Sequence, residues 1–480
     1  MSTPTTHVPG RTPIVPGLAT IVGFLVCVEI VSGILQGYYT PIFSDIADHL
    51  SIHDADVNWF EAAQLIVSAL VVPILARLGD LIGHRQVLLL STAVTALASW
   101  AVAFAPTFST FLVAWAIQGF YVVWLPLEVS IIHRRTADTG AQARLTRRAA
   151  SFLVAALETG VILGALTSGL LVESIGMTAL LSIPAVAVTL VFFVIWFGVA
   201  ATPPVHTGRL DWGGFWLATL AISLVMGGLI LVRIQGPGSP VPWLVLVLGV
   251  LALWPFARYE MRVDEPLIDM RLLATAGQWP VQLTAFLFGM SVLGAQIPLS
   301  TFARTDPEEA GFGLGASAAF VSTLIGVYVI ALVAGALLLP VVGRLIGTRG
   351  AMLIACLLVA LGYGLFLPLH DSTAQTLANM AIAGVGSGAL VAALPAAAAA
   401  AAPADRTGFA TGMTNTTKTI GGAIASSIFA IALASTGSIE GAEVGQAPLS
   451  GYLTVWAVCS LTALVAAASL LAVPKDAFAD

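Results

Sequence analysis

Fourteen apolar segments, each about as long as a membrane-spanning helix, fill this chain of 480 residues. A spanning helix needs ~20 mostly apolar residues, because the hydrocarbon core is about 30 Å thick and a helix rises about 1.5 Å per residue. Only 9% of the residues are charged, compared with about 25% in a soluble domain. We therefore predict an all-α polytopic membrane protein. The predicted spans are 17–42, 56–76, 86–105, 108–132, 149–173, 178–200, 212–232, 241–257, 280–302, 314–342, 350–369, 374–400, 408–435 and 450–473.

The nineteen lysines and arginines lie almost entirely in alternate loops between these segments. With the N-terminus in the cytoplasm, sixteen fall on the inner side, only Arg233 and Arg304 fall on the outer side, and Lys418 falls within a span. Cytoplasmic loops of membrane proteins are enriched in Lys and Arg. Heavy use of Ala, Gly, Val and Arg is typical of a GC-rich bacterium. We expect a multi-pass protein of the bacterial cytoplasmic (inner) membrane, with both termini cytoplasmic.

Several classes of protein and partner are disfavoured by the sequence. The three cysteines, Cys27, Cys356 and Cys459, are isolated within spans, which indicates small apolar residues rather than a disulfide or metal set. No basic stripe interleaved with aromatic residues suggests a nucleic-acid partner. The chain lacks a P-loop and an H-E-x-x-H motif, so we expect neither an enzyme nor an ATP-driven pump. We expect a monomer without a cofactor, driven by a proton gradient and acting on a small-molecule substrate in the lipid bilayer.

Weak internal similarity predicts how the chain is organised. The segment Ala76-Arg-Leu-Gly-Asp-Leu-Ile-Gly-His-Arg85 after span two is similar to Gly343-Arg-Leu-Ile-Gly-Thr-Arg-Gly350 after span ten. Each closes the second helix of a six-helix half, and two such halves around a central cavity are a common transporter plan. Spans seven and eight then form an inserted hairpin. The predicted units are an N-terminal six-helix bundle at 1–200, a hairpin and linker at 201–279, and a C-terminal six-helix bundle at 280–480.

These residues resemble the major facilitator superfamily, and the two extra helices resemble its fourteen-helix drug:proton antiporters. The segment 76–85 is similar to the loop signature G-x-L-x-D-R-x-G-R-R, with Leu78, Asp80, Gly83 and Arg85 in place. The resemblance implies a major facilitator fold. It also implies that Asp80, Gly83 and Arg85 form an inner gate, which holds neighbouring basic residues in one conformation and releases them in the other.

Two further segments extend the resemblance over nearly the whole chain. Glu265-Pro-Leu-Ile-Asp-Met-Arg-Leu272 resembles the segment that follows the inserted hairpin in these antiporters, and Thr407-Gly-Phe-Ala-Thr-Gly-Met-Thr-Asn415 resembles their penultimate helix. Two signatures differ. Trp115 takes the place of the arginine in the R-x-x-Q-G motif of helix four, and Ala165 takes the place of the proline in helix five. The resemblance implies that this arginine assists proton coupling and that the kink at this proline favours export.

Five charged residues lie away from the end residues of the predicted spans, where a charge at a helix centre costs about 2.5–3.5 kcal/mol. Such residues persist mainly where they face a cavity or a partner. Glu29, Glu158 and Lys418 are near the middle of spans one, five and thirteen. Glu61 lies near the outer end of span two, and Glu128 near the inner end of span four. We predict that these residues couple protons or bind substrate.

Polar and aromatic side chains share helical faces with these charges and are predicted to line the cavity. Helical spacing places Gln36 and Tyr39 on the face of Glu29, Trp124 on that of Glu128, and Asn415 on that of Lys418. Flat or cationic substrates stack on aromatic rings. The complete set of predicted lining residues is Gln36, Tyr39, Trp115, Gln118, Trp124 and Asn415.

Buried carboxyl groups suggest the transport chemistry. A carboxyl in apolar surroundings can bind and release a proton as access alternates, because desolvation penalises its charged form. It can also pair with a cationic substrate, and competition between proton and cation is the minimal chemistry of an antiporter. Glu29 or Glu158 could instead form a structural ion pair with Lys418, and Glu61 and Glu128 could extend toward the membrane surface.

The sequence therefore favours a proton-coupled secondary transporter that exports small amphipathic or cationic compounds by alternating access. The altered motifs of helices four and five leave an alternative open. That alternative is a proton-coupled importer, or a dedicated exporter of a single endogenous metabolite.

Overall fold

The computed structural model describes residues 22–137, 142–201, 204, 210–403, 406–434, 439 and 447–473, and all regular structure within them is helical. The helices of the first eight spans, in chain order, are Leu25–Gly37 with Phe43–Leu50, Asn58–Ile82, His84–Ala103, Phe108–Gln118 with Trp124–Arg135, Gln142–Leu171, Met177–Gly198, Trp212–Gln235 and Pro240–Glu260. The helices that follow are Met270–Leu273, Trp279–Val292, Gln296–Arg304, Pro307–Ala310, Ala318–Leu365, Thr373–Ala400, Thr407–Leu433 and Leu449–Leu470.

The helix Ala318–Leu365 contains two spans. Its 48 residues would extend ~72 Å as one straight helix, more than twice the thickness of the hydrocarbon core. Gly347 interrupts it with φ 78° and ψ 160°, a backbone conformation that glycine adopts readily because it has no Cβ. Thirteen described helices are long and apolar enough to cross a membrane. Counted on both sides of Gly347, they provide the fourteen predicted spans.

Spans one, four and nine are each interrupted close to a proline. A 3₁₀ turn at Thr40–Ile42 contains Pro41, a 3₁₀ turn at Gly119–Val123 precedes Pro126, and span nine breaks before Pro298. Proline lacks the N–H that would bond four residues back, so a helix bends there. Span one consequently continues to Leu50 instead of ending near residue 42. Asp45 and Asp48 both lie in the helix Phe43–Leu50 that continues span one.

Two large clusters of buried apolar side chains follow the two predicted halves. One is drawn mainly from residues 22–230 and the other mainly from residues 272–473. Spans one and nine are the most enclosed, with 72% of their apolar stretch buried, whereas the same share for span eight is 17%. The first helix of each half thus lies centrally, and the second helix of the hairpin lies at the periphery.

Glycines allow spans one and five to touch through their backbones. A Cβ at Gly33 would overlap the carbonyl oxygen of Leu157, and a Cβ at Gly160 would overlap the carbonyl oxygen of Ile30. Small residues permit this close approach between membrane helices. The crossing fixes span five against span one immediately beside Glu158.

The same crossing is built again in the C-terminal half. A Cβ at Gly289 would overlap the carbonyl oxygen of Lys418, and a Cβ at Gly421 would overlap that of Phe286. Each of these four helices carries one such glycine and one carbonyl that the facing glycine approaches. On every helix the two residues are three positions apart. Spans nine and thirteen therefore repeat the geometry of spans one and five, which makes the two halves structurally similar at this level.

We expect alanine at either crossing to destabilise the fold. Gly33→Ala and Gly289→Ala each place a methyl group against a backbone carbonyl, which cannot move aside by changing rotamer as a side chain can. Overpacking of this kind costs about 1–3 kcal/mol. Gly326→Ala is the matched control, because nothing lies within 4 Å of its Cβ position. Thermal unfolding of the purified variants in detergent measures the difference. Equal midpoints for all three variants would contradict the described contacts.

Hydrogen bonds join the two halves at one end of the bundle, which we call the acidic end because it carries Asp45, Asp48, Asp54 and Asp56. The guanidinium of Arg304 bonds the carboxylate of Asp45 at 2.9 Å. Farther from this end, the Ser322 hydroxyl donates to the carbonyl oxygen of Ala165 at 2.7 Å. The halves are therefore in contact at the acidic end.

At the opposite end, which we call the basic end, ion pairs join each half to the linker that follows the hairpin. Arg77 at the end of span two pairs with Glu265 at 2.8 Å, and Arg406 before span thirteen pairs with Asp269. The Asp269 side chain also caps the short helix Met270–Leu273 by accepting bonds from two backbone N–H groups. The linker thus contacts the basic ends of both halves.

Candidate functional site

Glu29 and Glu128 form a carboxyl pair inside the N-terminal half. Glu29 lies in Leu25–Gly37, Glu128 lies in Trp124–Arg135, and both side chains are fully buried. The two carboxyl groups lie close enough to act electrostatically on each other. Their four oxygens have no hydrogen-bond partner among the residues that the structure describes.

This arrangement favours a shared proton. Two carboxylates about 4 Å apart repel each other by about 4 kcal/mol at an effective dielectric constant near 20, in addition to the cost of burying each charge. A proton on one carboxyl removes the repulsion and supplies an O–H that the other carboxyl accepts. The pair is therefore a site that can hold a proton in the absence of any other donor.

Three groups surround this carboxyl pair. Arg135, two turns farther along the helix of Glu128, interacts electrostatically with that carboxyl. Tyr121 is within electrostatic range of both Glu29 and Glu61. Glu61, on span two, is therefore within electrostatic range of the same tyrosine as Glu29. All four predicted glutamates belong to the N-terminal half, and Glu29, Glu61 and Glu128 lie near one another through Tyr121 and the carboxyl pair.

Gln118 connects four spans through its amide. Its Nε2 donates to the Tyr39 hydroxyl at 3.1 Å and to the Ser99 hydroxyl at 2.9 Å, and its Oε1 accepts from Gln64 at 3.4 Å. All four side chains are buried. In this conformation Gln118 and Tyr39 hold spans one to four together, and their role in lining a cavity stays a prediction.

The tryptophans predicted to line the cavity are enclosed in aromatic clusters. Trp115 is 2% exposed, and its ring centroid lies 4.4 Å from that of Tyr39 and 5.7 Å from that of Phe111. Trp124 is fully buried beside Tyr121. Aromatic rings at these separations stabilise one another. Trp115 thus packs as an apolar side chain where the antiporters carry an arginine.

Gln36 and Asn415 differ from these buried residues. The side chain of Gln36 is exposed although its neighbours Leu35 and Gly37 are buried, and Asn415 is partly exposed one turn before Lys418. Both remain predicted lining residues.

Glu158 and Lys418 approach each other across the two halves. Each acts electrostatically on the other, but the two groups are too far apart for a direct ion pair. Both side chains are partly exposed. Lys418 does not pair with Glu29 either, since neither oxygen of the Glu29 carboxyl has a partner among the described residues.

The predicted gate residues contact their own half. The carboxylate of Asp80 lies 3.3 Å from Nε2 of His84, and Arg85 donates to the carbonyl oxygen of Trp196 at 2.6 Å, near the end of span six. Between them Gly83 turns the chain with φ 108°, a conformation that a residue with a Cβ rarely adopts. The gating role of these residues stays a prediction.

Sequence reasoning missed a buried ion pair. Arg233 of span seven donates from Nε and Nη2 to the two carboxylate oxygens of Asp56, at 3.1 and 2.9 Å. The two side chains are 3% and 0% exposed. They attach the hairpin to the start of span two. A signal was present, since Arg233 is one of two predicted outer arginines and Asp56 belongs to an acidic outer segment.

Comparison with known proteins identifies the family. The sequence pattern of the Major Facilitator Superfamily matches residues 25–426 and again residues 281–478. The chain belongs to this superfamily. Its members transport small molecules across membranes, and the predicted fold class is confirmed.

Curated relatives are distant in sequence. The chain is 25% identical to the multidrug resistance protein Stp of Mycobacterium tuberculosis over 81% of its length and 71% of that protein. It is 24% identical to the tetracenomycin C resistance and export protein of Streptomyces glaucescens, over 79% of its length and 69% of that protein. The uridine/deoxyuridine transporter of Lactococcus lactis is 23% identical, and the match spans about half of each chain, 53%.

Solved structures agree in fold. The nucleoside transporter NupG superposes with a TM-score of 0.63 over 95% of this chain and 99% of that chain, at 14% identity. An autoinhibited peptide transporter of the POT family superposes with a TM-score of 0.66 over 94% of this chain and 96% of that chain, also at 14% identity. These structures show the shared architecture of the superfamily.

Proposed function

We propose that this superfamily member is a proton-coupled antiporter of the fourteen-helix type, which exports small amphipathic or cationic compounds. The relatives named for multidrug resistance and for tetracenomycin C export support this activity. The Glu29–Glu128 pair carries the proposal for coupling, because two fully buried carboxyls with no other hydrogen-bond donor among the described residues form a proton-binding site. The proposal places the protein as a monomer in a bacterial inner membrane, with both termini cytoplasmic and no cofactor.

In this mechanism the regions 1–200 and 280–480 rock about the midplane while the hairpin and linker 201–279 stay attached to both. The acidic end carries few arginines, so it faces outward by the positive-inside rule. Contact between the halves at that end then corresponds to an inward-facing state. A proton that enters from outside binds the carboxyl pair, and its release inside accompanies the uptake of substrate from the cytoplasmic side.

The test is transport by purified protein in liposomes with an imposed pH gradient, using tetracenomycin C, ethidium and uridine as probes. We expect the gradient to drive accumulation of tetracenomycin C or ethidium, and an ionophore that collapses the gradient to abolish it. Transport of both compounds at a rate indifferent to the gradient would reject proton coupling.

The second candidate is a proton-coupled importer, or an exporter of one metabolite. It is supported by the uridine/deoxyuridine transporter among the relatives, by Trp115 at the arginine position and by Ala165 at the proline position. Under this candidate the gradient would drive uridine or another single metabolite, and neither tetracenomycin C nor ethidium would move or compete.

A further inference from the structure

Glu158 and Lys418 lie at the edge of the contact between the two halves. One turn farther toward the acidic end, Val161 and Ile162 pack against the C-terminal cluster. One turn beyond Lys418, a Cβ at Gly422 would meet the side chain of Leu65 on span two. Both charges therefore lie immediately on the basic side of the layer where the halves touch.

The two charges are available to a ligand. Both side chains are partly exposed, and no hydrogen bond from a described residue reaches the carboxylate of Glu158 or the ammonium of Lys418. Lys418 and Glu158 act electrostatically on each other. Tyr328 of span ten lies within electrostatic range of Glu158. Each half thus presents one unpartnered charge of opposite sign.

We propose that Glu158 and Lys418 form a split binding site for a zwitterionic amphipathic compound, whose cationic group binds Glu158 and whose acidic group binds Lys418. This inference rests on the proposed transport function and specifies its substrate class. A monocation would pair with Glu158 and be repelled by Lys418. A monoanion would pair with Lys418 and be repelled by Glu158. A zwitterion makes a charge-assisted hydrogen bond to each half, and these are about twice as strong as neutral ones.

The positions of the two residues also connect binding to movement. The helix crossings at Gly33 and Gly289 hold the backbones beside both charges within their own halves, so the distance between the two backbones changes as the halves move. A ligand that bridges them therefore binds more tightly when the halves approach each other at this level. A ligand shifts a conformational equilibrium by its differential affinity for the two states.

Three dyes with one ring system provide the probes. Rhodamine 110 carries a carboxylate and a cationic ring system, rhodamine 123 is its methyl ester and a monocation, and fluorescein keeps the carboxylate but lacks the cationic groups. Fluorescence anisotropy with the purified protein measures their affinities. We expect rhodamine 110 to bind at least about tenfold more tightly than either of the other dyes, as the loss of one charged hydrogen bond implies.

Variants assign the preference to the two residues. Lys418→Gln is expected to abolish discrimination against rhodamine 123, and Glu158→Gln to abolish discrimination against fluorescein. The charge exchange Glu158→Lys with Lys418→Glu should keep the preference for rhodamine 110. Glu173→Gln removes an exposed carboxylate just beyond the same helix as Glu158 and serves as the control. Size-exclusion profiles and melting temperatures of all variants establish that they are folded.

Equal affinities of the wild type for the three dyes, absent binding of rhodamine 110, or a preference unchanged in Lys418→Gln would overturn the inference. The proposed function is judged separately by gradient-driven export. If tetracenomycin C or ethidium is still exported while the dyes are not discriminated, the proposed function stands and this inference fails. If rhodamine 110 is preferred but its transport rate is independent of the pH gradient, the inference stands and the proposal of proton coupling fails.

Discussion

Replacement of Glu29 or Glu128 by glutamine is expected to abolish uphill transport. Glutamine has nearly the same shape and can donate to the remaining carboxyl, so the helices keep their packing while the pair loses its exchangeable proton. With one proton exchanged per substrate molecule, a gradient of one pH unit sustains at most about a tenfold substrate ratio. Each variant should reduce that ratio to about one, as measured in liposomes with a transported probe.

Exchange of substrate without a gradient provides the internal control for this prediction. Counterflow of labelled probe against unlabelled probe requires alternating access but no net proton movement, so both glutamine variants should retain it. Glu173→Gln, which alters an exposed carboxylate, should retain both activities. Full gradient-driven accumulation by either Glu29→Gln or Glu128→Gln would remove the carboxyl pair from the mechanism.

Arg233→Ala is expected to destabilise the protein by about 3–5 kcal/mol, because it leaves the buried carboxylate of Asp56 without its guanidinium partner. The bidentate geometry satisfies both oxygens of Asp56, so a smaller residue exposes both to apolar surroundings. Chemical unfolding in detergent, followed by tryptophan fluorescence, measures the loss. The hairpin should also become more accessible to proteolysis, since this pair attaches it to span two.

Arg77→Ala is the matched comparison. Its ion pair with Glu265 has side chains 32% and 54% exposed, and exposed pairs contribute about 0–1 kcal/mol. The double variant Asp56→Ala with Arg233→Ala should recover part of the stability lost in Arg233→Ala, since no unpaired charge remains. Equal losses in Arg233→Ala and Arg77→Ala would show that the buried pair does not hold the hairpin.

The spans could be predicted from the sequence because bilayer thickness sets their length and lipid requires continuous apolar residues. Their interruptions near Pro41, Pro126 and Pro298 were not predicted, although the missing N–H of proline explains them, and neither was the continuation of span one. Its continuation to Leu50 places Glu29 near the basic end, at a level similar to that of Glu128. A span of 17–42 had placed Glu29 at mid-membrane and separated the two residues in depth.

The pairing of the glutamates could not be predicted, because it depends on which faces of spans one and four pack together. Helical spacing grouped Tyr39 with Glu29 on one helix face, but it carries no information about contacts between helices. The same limit explains Gln118, whose four-span network was not anticipated. Glu158 and Lys418 were recognised as opposite charges of the two halves, and only the structure shows that they lie apart from each other.

The most direct test of the shared proton is the infrared absorption of carboxyl groups in the purified protein at neutral pH. The wild type is compared with the double variant Glu29→Gln with Glu128→Gln. We predict that the wild type contains a C=O band from a neutral, hydrogen-bonded carboxyl that the double variant lacks. Identical neutral-carboxyl absorption in the two proteins would show that both glutamates are ionised, and would contradict the account.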